Sequence, residues 1–173
     1  MEKGRSTKKH QLNHEQKTMN DTFGIKGYIR LQCKDKEGNL KWDTGFIQNT
    51  ITNLGKAEIA KLIGSVSGPT AFGYLALGTS NTAPAATDTT LVAEIVDSGL
   101  ARANSTETVT TTTTTGDTVQ FSYTWTASGS KTIEEIGIFN AASAGVMLGR
   151  ALTTSKAVSS GETITGTYQI RLS

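Results

Sequence analysis

The feature that most constrains this chain is a run in which every second side chain is large and apolar. Val119, Phe121, Tyr123 and Trp125 alternate with Gln120, Ser122, Thr124 and Thr126. Such a period of two places one set of side chains on one face of a strand. It recurs in Ile25, Gly27, Ile29, Leu31 and Cys33, and again in Ile164, Tyr168, Ile170 and Leu172. Short clusters of Gly, Ser and Asn separate these runs, as turns do between antiparallel strands. Segments with the same character cover Leu40 to about Thr50, Ala71–Leu77, Ala101–Thr115, Ile133–Phe139 and Val146–Leu152. The turn Asp35-Lys36-Glu37-Gly38-Asn39 places Gly where a positive φ is needed. The expected fold is all-β: an antiparallel, jelly-roll-like β-sandwich whose core wall is Val119–Trp125.

One stretch has the other period. Residues 53–63 carry helix formers with Ile59, Leu62 and Ile63 on one side, joined by Ala60, and Lys56 and Lys61 on the other. Asn53 is the expected cap and Gly64 the expected left-handed terminator. A helix of about three turns is marginal alone and must dock on a sheet. The segment Gly78–Thr90 has little to bury and reads as a long loop; Thr79, Ser80, Asn81 and Pro84 are its candidate contact residues. Leu91–Val96 fits no period.

Residues 1–22 contain almost no apolar side chains and read as an extended arm preceding a β-sandwich domain over 23–173. Within residues 1–20 five basic residues (Lys3, Arg5, Lys8, Lys9 and Lys17) stand against Glu2 and Glu15, a net +3, whereas residues 21–173 hold 12 basic and 13 acidic residues. A basic arm on a nearly neutral body fits an acidic partner surface, and nonspecific phosphate contact lies within its chemistry. No segment approaches the length of a membrane span, and the start of the chain lacks the apolar core of a secretory signal. Synthesis in a reducing cytoplasm suits the single cysteine, Cys33.

The groups that catalysis requires are thinly supplied. His10 and His14, the only histidines, both fall in the arm, and two such residues without further ligands do not make a metal site. Cys33 shares its face with core residues and has no histidine beside it, so it reads as a small core hydrophobe. Glu134 and Glu135 are adjacent and face opposite sides of their strand; one turns inward and the other meets solvent. No phosphate-cradling glycine motif occurs. The chain is expected to be no enzyme, with no catalytic residues, no cofactor and no metal.

Several segments taken together carry a resemblance. Phe46-Ile47-Gln48-Asn49-Thr50-Ile51-Thr52-Asn53-Leu54-Gly55, followed by Ala57-Glu58-Ile59-Ala60, is similar to a segment of small virion proteins of tailed bacteriophages. Tyr74-Leu75-Ala76-Leu77-Gly78-Thr79-Ser80-Asn81-Thr82-Ala83-Pro84 resembles their strand and loop, and Ile133–Asn140 resembles a strand also found in tail-collar and tail-fibre proteins. Ser160-Gly161-Glu162-Thr163 and the closing strand fit the same pattern. The resemblance implies a virion structural protein made in the host bacterial cytoplasm, with other virion proteins and further copies of itself as partners. The first expectation is a capsid-associated minor or decoration protein that stabilises the shell. The alternative is a tail-fibre or baseplate/collar adaptor, for which a trimer is expected. A carbohydrate-binding module is the third reading; it needs an exposed aromatic platform, whereas Trp42 and Trp125 both read as core.

Overall fold

A computed structural model of the chain describes residues 24–173. The expected arm, residues 1–22, lies outside the described residues. Eleven strands and one helix follow in the order β1 (Ile25–Lys34), β2 (Leu40–Asp43), β3 (Ile47–Gln48), β4 (Thr50–Ile51), α1 (Asn53–Gly64), β5 (Tyr74–Gly78), β6 (Ala103–Asn104), β7 (Thr106–Thr110), β8 (Thr118–Thr126), β9 (Lys131–Phe139), β10 (Met147–Val158) and β11 (Thr163–Leu172). They form two antiparallel sheets. The first runs β2-β1-β11-β8-β7, with β3 also paired to β1; the second runs β4-β10-β9-β5-β6. The all-β sandwich with one short helix expected from the alternation is the fold observed.

The alternation in β1 and β11 translates directly into burial. Ile29, Leu31, Cys33, Ile164 and Tyr168 are fully buried, facing Leu75, Leu77, Ile136 and Ile138 of the second sheet. Ile29 pairs with Tyr168, and Cys33 with Ile164, across the β1–β11 ladder. The Tyr168 hydroxyl is satisfied inside this core by the buried Asn49 side-chain amide, and burial raises its pKa well above the usual phenolic range.

Four expectations need correction. The strand from Leu40 to about Thr50 is three short pieces, because after β3 the chain leaves the first sheet: Asn49 N–H donates to Gly27 O, and Thr50 already pairs with Arg150 of the second. The Thr-rich strand over 101–115 is likewise split. At buried Ser105, the N–H and the hydroxyl both donate to Gly73 O at 2.7 Å, and the chain passes from β6 in one sheet to β7 in the other. Beyond β7 the Asp117 carboxylate accepts from the N–H groups of Thr112, Thr113 and Thr114, each at 2.8 Å, which folds the Thr run into a turn.

The helix is capped by Thr52, one residue before the expected Asn53. The buried Thr52 Oγ1 accepts from Gly55 N at 2.9 Å and donates to Met147 O at 2.5 Å, so one hydroxyl caps α1 and ties it to β10. Ser65, at φ 50°, takes the left-handed position expected of Gly64. The buried face is Gly55 and Glu58 with Ile59 and Leu62 packed on the core, while Ile63 is 75% exposed and Ala60 faces solvent. Finally, the core wall in β8 is half of what was expected. Phe121 and Trp125 are buried, but Val119 and Tyr123 remain more than a third exposed, since the second sheet does not reach over them.

Candidate contact surface

The loop after β5 is built from below. Arg150 on β10 is 1% exposed, and its guanidinium spends each nitrogen on a different anchor. Nε donates to Glu135 Oε2 at 2.6 Å, Nη1 to Asp88 Oδ2 at 2.8 Å, and Nη2 to Thr82 O at 2.6 Å. Glu135, fully buried, also accepts from Val92 N and Ala93 N. Asp88 closes the loop on itself by accepting from Ala85 N at 2.9 Å. These charges stand on the outer face of the second sheet. There the 79–97 segment covers them together with a small second core of Ala76, Leu91, Phe139 and Met147. Gly137 lies on this face, where an added Cβ would meet Leu91 Cδ2 at 2.9 Å.

Arg102 performs a similar service nearby. Its guanidinium lies 3.6 Å from the centroid of Phe139, pairs with Glu94, and donates to Ala141 O and Ala144 O. Both arginines are satisfied by fixed partners, so they hold loops in place rather than present charge. Thr79 and Asn81 are exposed and Ser80 and Pro84 half-buried, with Ser80 Oγ bonded to Thr82 Oγ1 at 3.0 Å. The four candidate contact residues thus lie on the loop that the arginine clamp holds, two of them exposed and two half-buried. The other candidates, Lys3, Arg5, Lys8, Lys9 and Lys17, lie outside the described residues.

Two further surfaces were not foreseen. At the α1 end of the sandwich the sheets part around an apolar groove of about 320 Å³, lined by Ile25, Ile59, Leu62, Phe72, Val119 and Leu172 among others, with Glu107 as its one charged group. On the outer face of the first sheet, Arg171 stacks 4.1 Å from the centroid of Tyr28 and 5.1 Å from that of Phe46. Arg30 beside them forms a two-point bond with Asp43, at 2.9 and 2.5 Å, and holds that carboxyl down at about 2. Neither surface had a signal in the sequence, because each joins residues far apart in the chain.

The two tryptophans weighed for a saccharide platform are tied down. Trp125 is 2% exposed and donates from Nε1 to Ala101 O at 2.8 Å; Trp42 is half-buried and donates to Ala157 O at 3.0 Å. Burial, seconded by the neighbouring Glu162 carboxylate, pushes the Cys33 thiol up to about 11, so it is held as the unreactive thiol. Lys41 in turn holds Glu162 below the usual carboxylate range. Among the described residues, no group of three or more His, Cys, Asp or Glu side chains could hold a metal ion, and no helix is long and apolar enough to cross a membrane.

Comparison with known families gives a match. A family model described as podophage GP4 fiber I protein gp80 aligns with residues 50–169, from the start of β4 to within three residues of the end of β11. The aligned stretch includes α1, the clamped loop and both of the arginines that fix the loops. No curated protein and no solved structure matches the chain.

Proposed function

The chain belongs to the podophage GP4 fiber I protein gp80 family, a phage structural family, and from that premise we propose that it serves as a fibre component of the virion rather than as a decoration of the capsid surface. The observation that carries this reading is the extent of the family match, which takes in the whole second sheet and, of the first, β7, β8 and most of β11. The architecture supports a structural role. Three charged side chains of the body serve as internal anchors: Arg150 and Arg102 on loops, and Asp117 on a turn. Among the body's outward surfaces is the clamped, uncharged loop at Thr79, Ser80, Asn81 and Pro84. In this reading that surface meets other virion proteins or further copies of the chain, and residues 1–22 act as a basic arm that attaches the body, residues 23–173, to the particle.

Immunogold labelling of purified virions tests the location. Label at the fibres, with capsid faces bare, is the expected result. Gold spread over the capsid faces, with fibres bare, would overturn it in favour of shell decoration.

A further inference from the structure

We propose that the apolar groove beside α1 is the seat of the chain's own N-terminal segment, with Phe23 and Met19 as the side chains that enter it. The inference is independent of where on the virion the protein sits.

The groove asks for an apolar occupant. Ile170, Val119 and Val109 are successive cross-strand partners in the first sheet, an apolar row running out from the core to the sheet edge. Val119 is 38% exposed, Val109 70% and Leu172 41%, although all three stand on the inner face of that sheet. Across the gap stand Ile59 and Leu62 of α1. A contiguous apolar surface of this kind marks a contact, and burying the several charges of the basic stretch against it would cost their hydration, since Glu107 is the one lining group able to pair with any of them.

The position of the chain selects the occupant. The described residues begin at the groove's rim: Ile25 lines it, and Gly24 remains paired with Ser173, at 2.5 and 2.9 Å. Strand periodicity continued by one step gives residue 23 the same face as Ile25, which is the groove side. Residues 1–23 include four large apolar side chains, Met1, Leu12, Met19 and Phe23, and two of these fall in the last five positions. Four residues reach roughly 13 Å when extended, so Met19 stays within range of α1 once Phe23 is seated. Seating these two residues fixes where the basic stretch Lys3–Lys17 leaves the body, at the α1 end of the sandwich.

The experiment uses the full-length chain with the photoreactive p-benzoylphenylalanine in place of Phe23, which keeps an aromatic ring at that position. After irradiation at low protein concentration, cross-links mapped by mass spectrometry to the Ile59–Leu62 or Val119 peptides of a monomeric product are expected. Cross-links that appear only in a dimeric product would give the groove to a second copy and overturn the proposal, as would cross-links confined to other peptides or none at all. As a second readout, Phe23→Asp should raise the fluorescence of bound anilinonaphthalene sulfonate several-fold with an unchanged far-ultraviolet circular dichroism spectrum. Unchanged dye binding in that variant would also overturn it.

Discussion

Arg150 and Glu135 form a buried ion pair: Nε lies 2.6 Å from Oε2, and neither side chain is more than 1% exposed. Two charges taken out of water repay the cost only when their remaining hydrogen-bonding positions are filled. Here they are, by Thr82 O and Asp88 on one side and by Val92 N and Ala93 N on the other. Replacing Arg150 by Met would leave Glu135 charged and buried with only the two backbone donors. The expected cost is about 3–5 kcal/mol, read as a fall in the denaturant midpoint. The double variant Arg150→Met with Glu135→Gln should recover part of that loss. Limited proteolysis should cut the 79–90 loop faster in Arg150→Met; an unchanged cleavage rate would show that the loop is held by other means.

This pair also marks the boundary of what the sequence could disclose. Strands β1 and β11 were legible because one face meets the core and the other is more open, so burial follows the alternation through β1 and through β11 as far as Tyr168. Glu135 was legible only as the inward member of Glu134–Glu135. Its partner Arg150 stands in β10, where Met147 to Ala151 are all buried, because the loop covers the outer face of the sheet. That covering is a tertiary fact with no periodic signature. The helix cap was misread by one position, since Thr52 and Asn53 are both capping types and only the contact with Met147 O decides between them. The contact loop was legible as a loop, but its clamp was not.

Gly55 gives a prediction whose sign runs against helix propensity. Alanine in place of a helical glycine ordinarily gains about 1 kcal/mol. At this position a Cβ would lie 2.5 Å from Leu148 O and 2.7 Å from Leu148 Cα, backbone atoms of β10 that cannot turn aside. Forcing α1 away from the sheet should cost about 1–3 kcal/mol, as overpacking does. Gly55→Ala is therefore expected to lower the thermal midpoint. A rise would mean that the helix shifts freely on β10.

Acid should weaken the fold in a defined window. Asp43 is held at about 2, first by its bond to Arg30, and Asp117 is held below the usual carboxylate range by the Thr114 and Thr112 amides. Such groups bind their proton less tightly folded than unfolded, so their stabilising effect is complete above the unfolded value of about 4. It is lost as pH falls through the folded value. Denaturant midpoints should therefore drop between pH 4 and pH 2, and the drop should be shallower in Asp43→Asn. Identical slopes for the two proteins would remove Asp43 from the account.

Cys33 should behave as a buried hydrophobe in a chemical assay. With its thiol held up at about 11 and its side chain fully enclosed, little thiolate exists or is reachable at pH 8. A disulfide reagent such as dithiobisnitrobenzoate should react with it only after the protein is unfolded by denaturant. Rapid stoichiometric reaction in native buffer would show that the β1–β11 wall opens at that point.

The loop surface separates folding from assembly. Thr79 and Asn81 are exposed and carry none of the clamp, which runs through Thr82, Asp88 and Arg150. Surface changes away from buried networks usually alter stability by less than about 0.5 kcal/mol. A Thr79→Arg, Asn81→Arg variant should therefore unfold at nearly the wild-type midpoint. It would, however, place two charges where a partner expects hydroxyl and amide groups, and a desolvated, unpaired charge is costly at a close-packed contact. Virions raised in cells that supply only the variant should carry much less of the protein, by quantitative immunoblot of purified particles. Wild-type incorporation of a stable variant would free this loop of any role in assembly and leave attachment to the N-terminal segment alone.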